Sequence, residues 1–256
     1  MAAIVLPRCE HLNPQKFGFI LGFDNLPNFK RKEIKGKKVD INGKLFEAEW
    51  ISLIEFFVQA GLKGSPNLIE ILFANREFVT VGTKMGWRLR DNRRLFLSMK
   101  TYHAFRGYAC GQMHRIRQRN PETEDRKAMV AKYGYDLKMA FHTLRLMDQI
   151  DQILTINDID LMRNKEECKL MRNGEWGDFD RFDKEFQKRM DHLEELSRKC
   201  NLPPQPQQGA LKQLLVSILE EHYPVDEMIQ MTDEYVSAKQ VNDKLDEIIN
   251  LIKKPQ

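Results

Sequence analysis

The chain of 256 residues reads as an α+β protein: a small mixed sheet near the start, then a larger helical domain. Three observations lead to this. Asn42-Gly43 is a two-residue turn signal between flanks that alternate apolar and polar residues, which is hairpin patterning. From Leu53 onward apolar residues recur at helical spacing. Between two such helical stretches, Leu202-Pro-Pro-Gln-Pro-Gln-Gln208 has the composition of a linker. The expected division is 1–80 for the sheet region, 81–222 for the helical domain and 223–256 for an amphipathic helical tail.

Residues 3–7 are apolar and read as a short buried strand, and 8–30, with Pro14, Gly18, Gly22 and Pro27, as a loop. The hairpin spans 38–51, with Phe46, Ala48 and Trp50 on one side of its second strand and Glu47 and Glu49 on the other. Ser52 and Glu55 form a capping-box pattern for a helix over 53–60, which Gly61 and Gly64 are expected to end. Pro66 opens the next helix, over 67–73, because proline suits the first turn. Helices follow over 83–92, 98–119, 123–131, 135–155, 163–173, 178–200, 208–222 and 226–253. The last carries Met228, Met231, Tyr235, Val236, Val241, Leu245, Ile248 and Leu251 at helical spacing, the pattern of an oligomerisation element.

Composition narrows the function classes. The apolar content suffices for a sizeable core, and no apolar run has the length to span a bilayer, so no membrane partner is expected. Cys9, Cys110, Cys168 and Cys200 are scattered without a CxxC, which argues against a zinc site or a disulfide framework and for a cytoplasmic protein. The net charge is only +4, but it is unevenly spread. From Lys84 to Arg119 the basic residues are Lys84, Arg88, Arg90, Arg93, Arg94, Lys100, Arg106, Arg115, Arg117 and Arg119, with Asp91 the single acid. A second basic cluster covers Lys30, Arg31, Lys32, Lys35, Lys37 and Lys38, while acids gather from Glu166 onward. Such asymmetry points to a polyanionic partner.

Chemistry concentrates in the run Lys132-Tyr133-Gly134-Tyr135-Asp136-Leu137-Lys138 and the helix after it. Lys138, His142, Arg145 and Gln149 lie four, three and four residues apart, so they form one helical stripe. Met139, Ala140, Leu144, Leu146, Met147 and Ile150 form the core side. A cationic stripe suits a nucleotide phosphate or an RNA backbone. Asp136 is placed to cap the helix. Arg106 and Tyr108, on either side of Gly107, offer a phosphate ligand and a ring for a base.

Four patterns occur in order: Leu62-Lys-Gly-Ser-Pro-Asn-Leu-Ile-Glu-Ile-Leu-Phe73; Leu95-Phe-Leu-Ser98 followed by Phe105-Arg-Gly-Tyr-Ala109; the Lys132–Lys138 run with His142 and Arg145; and Leu170-Met-Arg-Asn-Gly-Glu-Trp176. Together they resemble the nucleotidyltransferases of the DNA polymerase beta superfamily, in the group associated with RNA ligases, over roughly residues 3–222. The resemblance implies a fold in which a truncated nucleotidyltransferase-type sheet precedes the larger helical domain. It implies transfer of a nucleoside monophosphate from a triphosphate, with carboxylates holding Mg2+. The superfamily's Gly-Ser turn and paired carboxylates belong ahead of Ile4, where this sequence begins. Asp158-Ile-Asp160 and Asp178-Phe-Asp180 have the carboxylate spacing, but they read as helix starts. Glu47 is then the expected metal ligand, with Glu49 beside it as the second catalytic carboxylate.

The resemblance and the residues imply a nucleotidyltransferase-like protein that binds a nucleoside triphosphate or nucleic acid, with Mg2+ if it is catalytic. Lys132, Lys138, His142, Arg145, Arg106 and Tyr108 are the expected nucleotide or phosphate ligands. The alternative is a catalytically degenerate nucleotide- or RNA-binding or interaction protein that assembles through its C-terminal helix. A homo-oligomer or a protein partner is expected at the truncated sheet edge.

Overall fold

A computed structural model describes residues 18–22, 38–41, 44–76, 79, 82–119, 121 and 123–222, with side chains from Ile51 onward except those of Ser52 and His222. The expected strand at 3–7, the turn at Asn42-Gly43, the basic segment 30–37 and the tail 226–253 lie outside these residues.

The described chain is mainly helical. This corrects the expected α+β architecture of a truncated nucleotidyltransferase-type sheet followed by a helical domain. Strand backbone is confined to three short segments, Gly18–Gly22 (β1), Lys38–Ile41 (β2) and Lys44–Ser52 (β3), in the order β1-β3-β2. So few strands cannot form a layer that dominates the fold, because the helical periodicity begins at Leu53 and continues through most of the chain. β2 and β3 are antiparallel with Ile41 opposite Lys44. β1 runs parallel to β3 and falls within the segment read as loop. Its signal was the apolar run Phe19-Ile20-Leu21 between two glycines. β3 is the central strand, so Glu47 and Glu49 are not on an edge; their backbones pair with Lys38 and Phe19.

Helix α1, Leu53–Phe56, runs on into a π-helical segment, Phe57–Leu62, closed by the Lys63 amide donating to the Val58 carbonyl at 3.1 Å. Gly61 lies inside that segment rather than ending it: a Cβ there would meet Leu211 Cδ1 at 3.0 Å and the Phe96 ring at 3.5 Å. Gly64, at φ +67°, makes the turn instead. Pro66 then starts α2, Pro66–Phe73. α3 is Lys84–Asp91, capped by the Thr83 hydroxyl, which accepts from the Gly86 amide at 3.2 Å. After the 3-10 turn Arg93–Phe96 comes α4, Met99–Gln118. The proline stretch packs on the helical domain: the Pro203 carbonyl accepts from the Met99 amide at 2.9 Å at the start of α4, and Leu202 is buried.

α5, Glu124–Tyr133, stops at Gly134, whose φ is +83°. Asp136 then caps α6, Leu137–Ile156, by accepting from the Met139 amide at 3.0 Å. α7, Lys165–Asn173, stops at Gly174, and Asp178 caps α8, Phe179–Ser197, by accepting from the Arg181 amide at 2.8 Å. α9 is Gln208–His222. The chain divides into the compact units Met1–Leu211 and Lys212–Gln256. In the first unit α6 is the core helix, packed against α4, α7 and α8.

Two of the sequence patterns, around 132–138 and 170–176, meet in one aromatic junction. The Tyr135 ring stacks on Phe182 at 5.8 Å, and Trp176 meets Phe182 edge-on at 5.6 Å. The Tyr135 hydroxyl donates to the Gly177 carbonyl at 2.9 Å. Burial first, and then the charge of Asp178, pushes this phenol up to about 12. Gly174 combines φ +77° with direct contact to the Tyr133 ring. Gly174→Ala should therefore destabilise the fold by about 1–3 kcal/mol in urea titrations, from backbone strain and overpacking. Tyr135→Phe should cost about 1 kcal/mol, the net worth of one buried hydrogen bond.

Candidate functional site

The expected ligand residues do not form one surface. Lys138 is exposed and His142 is half-buried, with its ring 5.1 Å from that of Phe141. One turn on, Arg145 is only 6% exposed and its Nη2 lies 3.1 Å from Glu70 Oε1 of α2. Gln149 is 1% exposed. The stripe thus leaves solvent after His142 and enters the core. Arg145 is spent on tying α6 to α2. Lys132 is exposed, with its ammonium 4.8 Å above the Tyr133 ring. Arg106 and Tyr108 do not share a face, because two residues along a helix turn through about 200°. Arg106 lies 3.7 Å from Glu194 of α8, whereas Tyr108 is exposed.

The cationic groups that do converge come from the basic run after Lys84. Arg90 lies in the last turn of α3, Arg93 and Arg94 lie on the next turn, and the loop after α6 brings Asp158 to them. The resulting cleft has a volume of 350 Å³ and is lined also by Phe73, Asn75, Ile156, Ile159 and Asp160. Asp158 Oδ1 accepts from Arg93 Nε and Nη2, both at 3.3 Å, and from the Ile159 amide at 2.9 Å. Its Oδ2 accepts from Arg93 Nη2 at 3.0 Å and from Arg94 Nε and Nη2 at 3.2 and 2.7 Å. Burial pushes this carboxyl up, but the hydrogen bonds from Arg94, Ile159 and Arg93 outweigh burial and hold it below the ordinary carboxylate range.

Arg90 is in a different position. Its Nη1 donates to the Leu72 carbonyl at 3.4 Å, and among the described residues no carboxylate lies at ion-pair distance from it. Burial, and then the charge of Arg93, push its guanidinium below its ordinary value. Arg93 also lies over the Phe73 ring at 5.4 Å, and Ile156 is 59% exposed at the mouth. Guanidinium donors beside apolar surface suit a ligand that carries both phosphate and a base.

The fold places Asp158 through α6. That helix ends at Asn157 in the left-handed conformation, at φ 50°. The buried amide of Gln152 then grips the loop from both sides: its Nε2 donates to the Asp160 carbonyl at 3.1 Å and its Oε1 accepts from the Asp160 amide at 2.6 Å. Arg163 anchors the far end through Asp148 and Asp151 of α6. The basic run was visible in the sequence, but Asp158 read only as a helix start; its partners are 64 and 65 positions away.

The donors for Mg2+ do not assemble among the described side chains. No group of three His, Cys, Asp or Glu residues converges there in a way that holds a metal. Glu47 and Glu49 are placed by backbone alone, on β3. Among the described residues no helix is long and apolar enough to cross a membrane.

Gln152→Leu keeps the side chain's bulk but removes its two hydrogen bonds to the Asp160 backbone and the one to Asp148. It should lower stability by about 1–3 kcal/mol, read by chemical denaturation.

No family model matches this chain, and neither a curated protein nor a solved structure does.

Proposed function

We propose that this protein binds a nucleotide or a nucleic acid through the arginine-lined cleft, with phosphate on Arg90 and Arg94 and a base against Phe73 and Ile156. The observation that carries this reading is Arg90, a half-buried guanidinium beside Arg93 with no described carboxylate at ion-pair distance. A buried charge held next to a like charge is relieved by an anion. The one-sided basic run and the resemblance of the 132–146 segment to nucleotidyltransferases lend the same reading independent support. Exposed Lys138 and half-buried His142 are a secondary contact surface on α6.

The resemblance extends the proposal to magnesium-dependent transfer of a nucleoside monophosphate, with Glu47 and Glu49 on the central strand as the carboxylates. An incorporation assay with labelled nucleoside triphosphates, magnesium or manganese, and pooled RNA and protein acceptors tests that extension. Transfer lost in Glu47→Ala supports it; absence of transfer, or transfer untouched by that substitution, removes it. That Cys110, Cys168 and Cys200 are not in disulfides is compatible with a cytosolic protein.

Binding itself is tested by anisotropy of a labelled oligoribonucleotide over a range of salt. Arg90→Ala and Arg94→Ala should each weaken binding by about tenfold and flatten the salt dependence by roughly one phosphate contact. Lys199→Ala, an exposed position on another part of the surface, is the control. Wild-type affinity in Arg90→Ala would remove the cleft from the reading.

A further inference from the structure

We infer that the solvent-facing row of helix α4 is a second binding surface, one that takes the sugar–phosphate backbone of single-stranded nucleic acid. It stands on a different element from the arginine-lined cleft and does not depend on it.

Helix α4 holds no Asp or Glu in its 20 residues. Its exposed residues Lys100, His103, Gly107, Gly111, Arg115 and Gln118 follow one another at three, four, four, four and three positions, so they form one row along the helix. A helix face that is merely solvated mixes both signs, as α8 does with exposed Asp180, Arg181, Lys184, Lys188 and Asp191. The arginines on the flank toward α8 are answered there: Arg106 lies 3.7 Å from Glu194, and Arg117 lies 2.7 Å from Asp183. The row itself is not answered. Among the described residues no carboxylate lies at ion-pair distance from Lys100 or Arg115, which stand near its two ends, about 22 Å apart along the axis. Lys100 is in the first turn, where the helix dipole disfavours a cation, so helix stability does not account for it. A line of cations without acids matches the regular charge of a phosphodiester backbone.

The centre of the row is glycine. Neither Gly107 nor Gly111 has a positive φ, and a Cβ on either would meet nothing within 4 Å. Glycine inside a helix costs stability relative to alanine, and here neither turn geometry nor packing asks for it. Bare backbone between two cations lets a bulky sugar–phosphate chain come close to the helix. Tyr108 is 44% exposed, and Gly111 and Arg115 follow it at three and four positions, so its ring edges the row and offers a surface to an unpaired base. An acidic protein segment would match the charge, but a protein interface draws most of its energy from buried apolar anchors. Tyr108 is the one large apolar side chain exposed on α4, so this face suits a ligand held by its charges.

The test measures binding of a labelled single-stranded oligoribonucleotide to the full chain over a range of salt. Gly111→Glu places an acid at the centre of the row, where a side chain has room. It should raise the midpoint of thermal unfolding by about 2–4 °C, because glutamate is the better helix former. It should nevertheless weaken binding about tenfold. A face with only a structural role would not move the two readouts in opposite directions. Gly209→Glu makes the same change at an open position on α9 and should leave the affinity unchanged. Lys100→Ala combined with Arg115→Ala should weaken binding about tenfold and flatten the logarithmic salt slope by roughly 0.7 per cation removed. Wild-type affinity in Gly111→Glu, or a loss matched by Gly209→Glu, would overturn the inference. So would displacement of the RNA by polyglutamate at equal charge concentration, which gives the face to acidic proteins. A wild-type dimer that Gly111→Glu dissociates would give it to a second copy of the chain and overturn the inference too. Arg90→Ala separates the two surfaces: binding lost there but kept in Gly111→Glu removes the α4 face alone, and the reverse removes the cleft alone.

Discussion

Helix α6 is buried along most of its length, and a helix so enclosed must have its polar side chains answered by whatever packs against it. Much of the molecule's layout follows from that constraint. Arg145 draws Glu70 and with it α2. Gln152 takes both backbone groups of Asp160, which turns the chain back along the helix it has just left. Asp148 and Asp151 share Arg163 and hold the same loop further on. Burial pushes the Asp148 carboxyl up even though Arg163 and Gln152 pull the other way, which marks how deep this end of the helix lies. A buried pair such as Arg145 and Glu70 adds little net stability over apolar packing, but removing one partner is costly, so these contacts fix which elements meet.

The cleft inherits its geometry from the same helix. Asn157 ends α6 in a left-handed turn, and the next residue is Asp158. Wherever the core fixes the end of α6, it also fixes the carboxylate that organises Arg93 and Arg94. Those arginines belong to a short turn between α3 and α4, whose position is set by Phe96 and Leu97 in the core. A surface feature with a charge pattern suited to phosphate thus depends on packing on both sides of it. Arg90, which points to the proposed ligand, is the member that Asp158 and Asp91 offset only from a distance, without an ion pair.

Two of the sequence patterns behind the resemblance have a structural role in the folded chain. Tyr133 and Tyr135 of one pattern and Gly174 and Trp176 of the other, with Gly177 just beyond it, close on each other around Phe182. Tight glycine turns and aromatic rings are needed there to let two helix ends approach. From the first pattern Lys132, Gly134 and Lys138 are exposed, and Tyr133 and His142 are half-buried.

Local features were legible from the residues alone because their causes are local. Proline at a first turn, Asp136 and Asp178 as caps, Gly134 and Gly174 as stops, and apolar residues at helical spacing act within a few positions, and the helices begin and end close to where those signals stand. The dominance of helix over sheet was misjudged because a hairpin signal says nothing about how many further strands join it. The cationic stripe was misjudged after His142 because periodicity assigns residues to a face but not the width of the face that neighbours cover. Glu70 and Arg145 are far apart in sequence, as are Arg93 and Asp158, and nothing within a short window distinguishes a solvated arginine from one neutralised by a distant carboxylate. Chain-distant packing alone separates the arginine that holds the core together from the arginine left facing an open cleft.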